Sequence, residues 1–171
     1  MADFNGHISV EGLENVLRGL EKADRTVRKA AFRGLQAGGL DIINEAKGNL
    51  RENMSVVTNL LRSSGKVQKT GEESLDVGFF DTQNKGHGYA AYVEYGRRAG
   101  KWPPIDEMAQ WVRKKFRIPD EREARSIGFL VARKIGTQGS KPHPFFWPAV
   151  EKCKTKILDR IRDAVRNATN G

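Results

Sequence analysis

The chain has 171 residues, of which 38% are hydrophobic, and this is enough for one compact domain that folds without disulfides or metal. Its single cysteine, Cys153, excludes an intramolecular disulfide and a cluster of thiolate metal ligands, and is typical of a reducing cytoplasm. The formal net charge of +9 favours polyanionic partners: nucleic acid, an acidic protein surface or an anionic membrane face.

A short edge strand over residues 8–10 and a short helix over residues 11–23 are predicted at the start of the chain. The helix follows from apolar residues at spacings of three and four: Leu13, Val16, Leu17 and Leu20. No basic and apolar signal-peptide pattern precedes them. No segment approaches the roughly 18 consecutive apolar residues of a membrane span. We therefore expect a soluble protein that is made in the cytoplasm.

A long amphipathic helix is predicted over residues 26–54, with Thr26 as its N-cap. Its apolar stripe consists of Val27, Ala30, Ala31, Leu35, Ile42, Ile43, Ala46 and Leu50. Gly34, Gly38 and Gly39 fall inside this helix, and each costs about 1 kcal/mol of helix propensity relative to alanine. Three such costs predict either a kink or the close approach of another backbone.

A β-hairpin is predicted next, because the apolar positions change from a helical to an alternating period. Its turn is the polar stretch 70–73, and residues 75–79 alternate as a strand with one buried face does. The polar, glycine-rich stretch 81–88 after it predicts a mobile loop.

A helical pair is predicted over residues 103–136, interrupted by Pro119. In its first helix, Pro104 suits the first turn, and Asp106 and Glu107 favour the positive end of the helix dipole. The apolar stripe of this helix ends at Phe116. The basic residues beside it then lie on the solvent-exposed face: Arg113, Lys114 and Lys115.

The second helix of the pair is predicted to have a stripe of Ala124, Ile127, Val131 and Ile135. It is expected to end at Gly136, before a mobile loop that extends to Lys141. A last helix is predicted over residues 144–168. Its stripe consists of Phe146, Val150, Cys153, Ile157, Ile161 and Val165.

The predicted fold class is α+β. A small antiparallel sheet is expected to be packed by the long N-terminal helix and the C-terminal helix. These two helices have the longest apolar faces in the chain, and burying those faces is the main driving force available for folding.

The sequence contains no pattern that indicates an enzyme. The histidines, His7, His87 and His143, have no partners at metal-ligand spacing. Gly86 and Gly88 lack the third glycine of a dinucleotide site, and there is no Gly-x-Ser-x-Gly elbow. A nuclease would need a cluster of metal-binding carboxylates, which is also lacking. We therefore expect no metal, no cofactor and no catalysis.

Three short motifs, taken in order, resemble one phage family. They are Val-Thr-Asn-Leu-Leu-Arg-Ser-Ser (57–64), Tyr-Ala-Ala-Tyr-Val-Glu-Tyr-Gly (89–96) and Pro-His-Pro-Phe-Phe-Trp-Pro-Ala-Val-Glu (142–151). In order and spacing they resemble the gene-product-ten-like minor tail components of lambda-like siphophages, over residues 12–165. The helical pair is then interpreted as an insertion, 103–136, in a single domain that spans residues 1–171.

The resemblance implies a structural virion protein of the phage neck or tail, made in the cytoplasm of the host bacterium. Such subunits form a homo-oligomeric ring, expected to be sixfold or twelvefold, that completes the tail or joins it to the head connector. The implied partners are further copies of the chain and the neighbouring head-connector and tail-tube proteins. DNA would pass through the lumen without sequence recognition, and no membrane is implied.

The candidate contacts with neighbouring subunits lie in the second motif and in the basic loop after it. They are Tyr92, Glu94, Tyr95, Arg97, Arg98, Lys101 and Trp102. Tyr, Trp and Arg dominate interface energetics, whereas the alternative is that Tyr92 and Val93 fill the core. A second hypothesis is a non-enzymatic, basic DNA-binding protein that uses the same loop, because cations beside an aromatic ring grip phosphate and stack on bases.

Overall fold

The structure, a computed structural model, describes residues 24–52, 59–80 and 89–170. The elements in these ranges are α1 (Arg25–Glu52), α2 (Asn59–Ser63), β1 (Gly65–Lys69), β2 (Leu75–Phe79), α3 (Tyr89–Tyr95), α4 (Ile105–Phe116), α5 (Glu121–Gln138) and α6 (Phe146–Thr169). The predicted α+β class is confirmed, with helices predominant and one small antiparallel sheet. The strand and helix predicted over residues 8–23, and the loop predicted over 81–88, lie outside the described residues.

The described residues form two compact units. The first unit contains α1 as far as Asn49, the hairpin Gly65–Phe80, and α6. The second unit contains Leu50–Ser64 and the chain from α3 to Phe145. The assignment of one domain over residues 1–171, with an insertion over 103–136, stays a prediction.

Helix α1 begins one residue before the predicted N-cap. The side-chain carboxylate of Asp24 accepts a hydrogen bond from the Arg25 N–H at 2.6 Å. The backbone carbonyl of Asp24 accepts one from the Arg28 N–H at 3.1 Å. A carboxylate here satisfies a backbone donor that the helix cannot satisfy and complements the helix dipole. Thr26 therefore lies in the first turn, and its prediction as the N-cap is wrong.

The core of the first unit forms where α1 meets α6 and the hairpin, as predicted. At Gly34 an added Cβ would lie 2.7 Å from the Cα of Ile161 on α6, and at Gly39 it would meet Val77 of the hairpin at 3.0 Å. Helix α1 is continuous through these glycines, and the predicted close approach of another backbone is found at Gly34. The core includes Ile42, Ile43, Ala46, Phe79, Phe146, Val150, Cys153, Ile157 and Ile161.

The predicted hairpin is confirmed, with β1 and β2 antiparallel and Val67 opposite Val77. Its turn is closed by the Thr70 and Gly71 N–H groups, which both donate to the Ser74 carbonyl, at 3.0 and 3.2 Å. The ring of Phe79 meets the ring of Phe146 edge-on, with centroids 6.1 Å apart. This contact ties the end of β2 to the start of α6.

Cys153 is buried on the inner side of α6, in agreement with its place in the predicted apolar stripe. Burial raises the pKa of its thiol, and the negative charges of Glu45 and Asp41 raise it further. The thiol is therefore a poor source of thiolate, and its role is packing.

Helices α4 and α5 form the predicted pair, with ends that differ slightly from the prediction. Pro104 lies just outside α4 as its N-cap, with φ −58° and ψ 130°. Asp120 caps α5, and its carboxylate accepts from the Arg122 and Glu123 N–H groups at 2.7 and 3.0 Å. Arg117 ends α4 in the left-handed conformation, with φ 55°.

Small residues, and not the predicted branched ones, form the buried side of α5. The buried residues are Ala124, Gly128, Ala132 and Gly136, whereas Ile127, Val131 and Ile135 are half-buried. At Gly128 an added Cβ would lie 2.7 Å from the Ala109 nitrogen of α4. The two backbones therefore approach closely, which only small side chains permit.

The predicted burial of Phe116 is wrong, since 57% of this residue is exposed. Of the α4 residues, Ala109 and Val112 are buried, so the buried stripe stops one turn before the helix ends. The rings of Phe116 and Trp111 instead form a T-shaped contact, with centroids 5.9 Å apart. The Lys115 ammonium lies over the Trp111 ring, 4.7 Å from its centroid.

Candidate contact surface

Six of the seven candidate contact residues are at least partly exposed in the second unit. These six form what we name the aromatic–basic surface: Tyr92, Tyr95, Arg97, Arg98, Lys101 and Trp102. Of the two residues that could have filled the core, Val93 is buried, whereas Tyr92 is 40% exposed. Glu94 differs from the six, because it is only 2% exposed and therefore lies inside the unit.

Gly96 ends α3 and directs the chain towards the segment that follows α5. Its φ of +72° favours glycine, and an added Cβ would also overlap the backbone of Ser140. Arg97 then pairs with Ser140 as an isolated antiparallel bridge, with N–H to carbonyl distances of 3.1 and 2.8 Å. The basic loop is thereby anchored at its first residue.

The side chain of Arg97 stabilises the loop to which it belongs. Its guanidinium lies 5.1 Å from the centroid of the Tyr92 ring, and its Nη2 donates to the Lys101 carbonyl at 2.7 Å. A cation over an exposed aromatic ring contributes about 0.5–1 kcal/mol. The exposed side chains of Arg98 and Lys101 are therefore the better sites for testing surface charge without changing the loop.

Trp102 packs on Gly136, which lies inside α5 and does not end it as predicted. The helix continues to Gln138, and Gly139, with φ +77°, is its C-cap. A Cβ on Gly136 would overlap the indole ring, so glycine is required by the close approach of Trp102. The ring also contacts Phe129, with centroids 5.6 Å apart.

The segment after α5 is held by hydrogen bonds, and residues 136–138 of the predicted mobile loop belong to α5. The Gly139 N–H donates to the Ile135 carbonyl at 2.8 Å, and the Ser140 N–H donates to Arg97. Two residues beyond the predicted loop, the His143 N–H donates to the Val93 carbonyl at 2.8 Å. The glycine-rich composition predicts mobility. The Gly139 N–H is nevertheless satisfied within the last turn of α5, and the Ser140 and His143 N–H groups are satisfied by carbonyls far along the chain.

Glu94 joins the second sequence motif to the third. Its Oε2 accepts a hydrogen bond from the Phe145 N–H at 2.8 Å, and both residues are buried. A carboxylate that accepts from a backbone N–H makes a charge-assisted bond, which is stronger than a neutral one. The sequence placed both residues in motifs of one family but gave no sign of this contact.

The described part of the chain has no group of three or more His, Cys, Asp or Glu side chains that could hold a metal ion. Within the same ranges, no helix has the length and apolar character needed to cross a membrane.

Comparison with known families gives a match over part of the chain. The model of the family described as "Bacteriophage HK97-gp10, putative tail-component" matches residues 14–96. The match contains the first two motifs and ends at Gly96, so it is shorter than the predicted resemblance over residues 12–165. Tyr92, Glu94 and Tyr95 lie inside it, whereas the basic loop and the helical pair lie outside it. No curated protein and no solved structure matches the chain.

Proposed function

We propose that this chain, which belongs through residues 14–96 to the HK97-gp10-like family of phage tail components, is a ring subunit at the head–tail junction. The ring, sixfold or twelvefold, completes the tail or joins it to the head connector, and DNA passes through its lumen. Its role is structural and not enzymatic, and its place is the virion. The observation that carries the proposal is the family match.

The aromatic–basic surface supports the proposal because a closed ring needs a head-to-tail interface between two different patches. Tyr95 is 56% exposed and Trp102 is 45% exposed, beside the cations Arg98 and Lys101. Aromatic side chains supply most of the energy of such contacts, and a charged rim steers the approach of the partner. The family match ends within this surface, after Tyr92 and Tyr95 and before Arg97.

The order of the basic loop also supports a contact role. Its backbone is fixed by the Arg97–Ser140 bridge and by the Gly100 N–H, which donates to the Gly136 carbonyl at 2.8 Å. A loop that is already ordered loses less conformational entropy when it binds, so more of the contact energy appears as affinity.

Complementation of a phage that lacks this gene tests the proposal. The test variant is Arg98→Glu with Lys101→Glu, and the matched control is Lys29→Glu with Arg33→Glu, which makes the same charge change at exposed positions of α1. We expect tailless heads and free tails by electron microscopy for the test variant and normal particles for the control. Normal infectious particles from the test variant would contradict the ring contact.

DNA binding is the second candidate function, favoured by the net charge of +9 and by the cations beside Trp102. It requires tight duplex binding that weakens steeply with salt, because each neutralised phosphate releases counterions. A ring subunit should bind duplex weakly and without sequence preference. Fluorescence anisotropy with a labelled duplex at several salt concentrations separates the two. Normal particles together with lost duplex affinity in the Arg98→Glu, Lys101→Glu variant would favour DNA binding.

The number of subunits in the ring, and the proteins on either side of it, are determined on intact particles. Electron cryomicroscopy of the neck should show a ring with six or twelve copies of this chain between the head connector and the tail tube. A monomer in solution is compatible with the proposal, because a neighbouring ring can act as the template for assembly. A position at the tail tip would contradict it.

A further inference from the structure

The helical pair of the second unit carries an apolar groove, which we name the α4–α5 groove. It is lined by Ile105 at the start of α4 and by Arg122, Arg125, Ser126, Phe129 and Leu130 of α5. Spacings of three and four place these α5 residues on one side of the helix. Phe129 is 42% exposed and Leu130 is 59% exposed, so two large apolar side chains lie open to solvent.

The two helices that form the groove are basic. Helices α4 and α5 contain seven Lys or Arg and four Asp or Glu, an excess of three. Two of the cations, Arg122 and Arg125, line the groove itself. Arg125 forms an exposed ion pair with Asp106 at 3.3 Å, a contact of little energy that a stronger acidic partner can replace.

We propose that the α4–α5 groove binds an acidic amphipathic helix of a neighbouring virion protein. Apolar side chains on one face of that helix would cover Phe129 and Leu130, and its carboxylates would meet Arg122 and Arg125. Charge complementarity selects the acidic partner. A DNA duplex offers phosphates, but its bases are stacked inside, so it would not bury the two apolar side chains.

This inference goes beyond the proposed ring contact. The groove lies outside residues 14–96, so it gives the chain a partner that the matched part of the family does not account for. Binding is tested with the purified full chain and without particle assembly. Failure of the ring proposal therefore leaves the result of the groove experiment unaffected, and the reverse also holds.

The probe is a fluorescein-labelled helical peptide with Leu at helical spacing on one face and Glu on the other. Two control peptides replace every Glu by Lys or every Leu by Ser. We expect the Leu/Glu peptide to bind with an affinity that falls as salt is added, because charge contributes to it. Each control peptide should bind at least about tenfold more weakly, the usual effect of removing a dominant set of contacts.

Substitutions in the groove test whether the peptide binds there. Phe129→Ser with Leu130→Ser, and separately Arg122→Glu, should each weaken the Leu/Glu peptide at least about tenfold. Leu40→Ser and Arg33→Glu are the matched controls, because they change an equally exposed apolar residue and an exposed cation on α1. Arg122→Glu with Arg125→Glu should instead gain binding of the Leu/Lys peptide, a result that a misfolded variant cannot give.

Three results would overturn the proposal. The first is the absence of peptide binding to the unaltered chain, and the second is equal binding by the groove variants and the controls. The third is binding of duplex DNA that depends on Arg122 but is indifferent to Phe129 and Leu130, together with displacement of the peptide. Retention of peptide binding by the Arg98→Glu, Lys101→Glu variant would support a groove that is separate from the ring contact.

Discussion

The buried carboxylate of Glu94 accepts a hydrogen bond from the backbone N–H of Phe145, a residue 51 positions later in the chain. This bond and the one from the His143 N–H to the Val93 carbonyl hold the end of α3 against the segment that leads into α6. Glu94 therefore contributes to the aromatic–basic surface indirectly, by holding the helix that presents Tyr92 and Tyr95.

Replacing Glu94 tests this relationship. Glu94→Ala should lower the free energy of unfolding by about 1–3 kcal/mol, because a buried backbone donor loses its acceptor. Glu94→Gln keeps an acceptor oxygen and should lose less, since only the charge-assisted part of the bond is removed. Urea denaturation of both variants measures the difference. Equal losses for Ala and Gln would show that the bond to Phe145 contributes little.

Gly136→Ala should displace Trp102 from α5. The added methyl group overlaps the indole ring, and an overpacked contact of this kind costs about 1–3 kcal/mol. Gly48→Ala is the control, because Gly48 lies in α1 with no heavy atom within 4 Å of the added Cβ. That variant should gain up to about 1 kcal/mol of stability from helix propensity. Thermal unfolding and tryptophan fluorescence measure both, and a Gly136→Ala protein as stable as the control would contradict the packing.

Charge in the core of the first unit should abolish folding. Ile42 and Ile157 are each 3% exposed, on α1 and α6. Ile42→Asp or Ile157→Asp should cost more than about 4 kcal/mol, from lost apolar contacts and a buried carboxylate, out of a total stability of about 5–15 kcal/mol. Leu40→Asp on the exposed side of α1 should fold normally. Circular dichroism melts measure this, and a cooperative transition for both core variants would show that the core is misassigned.

The segment after α5 should be protected from hydrogen exchange in the free subunit. The N–H groups of Gly139 and Ser140 are hydrogen-bonded to Ile135 and Arg97. Their exchange should be slower than that of an unstructured peptide, because exchange requires these bonds to open. Hydrogen–deuterium exchange read by NMR resolves the individual amides. Exchange at the unstructured rate would restore the mobile loop that the composition predicts.

The pH dependence of stability should contain a contribution from Cys153. Its thiol pKa is raised by burial in the folded chain, so the folded state holds the proton more tightly than the unfolded state does. This contribution to the free energy of unfolding is fully present below the thiol pKa in the unfolded chain, about 8.5. It is lost as pH rises through the thiol pKa in the folded chain. Unfolding measured between about pH 8 and pH 10 should show a shallower decline for Cys153→Ala than for the unaltered chain. Parallel curves would mean that the thiol does not contribute.

Much of the fold follows from patterns that are local in sequence. Spacings of three and four predict α1, the helical pair and α6, and the alternation of residues 75–79 predicts β2 of the hairpin. The three motifs indicate a resemblance to the tail-component family, and the family model matches residues 14–96, which contain the first two of them. These patterns can be identified without knowledge of distant contacts, because helix and strand periods place apolar residues on one face wherever the core lies.

The details of the second unit depend on contacts that no local pattern contains. Either Gly136 or Gly139 could end a helix. Gly136 lies inside α5, where the ring of Trp102 leaves no room for a side chain, and Gly139 is the cap. Phe116 continues an apolar stripe and is exposed, whereas Glu94 is charged and is buried. For Gly136 and Glu94, a contact with a residue far along the chain outweighs the preference of the residue itself. For Phe116, its position at an exposed helix end does so. Close packing and the need to satisfy buried polar groups act between distant residues, so these assignments required the folded chain.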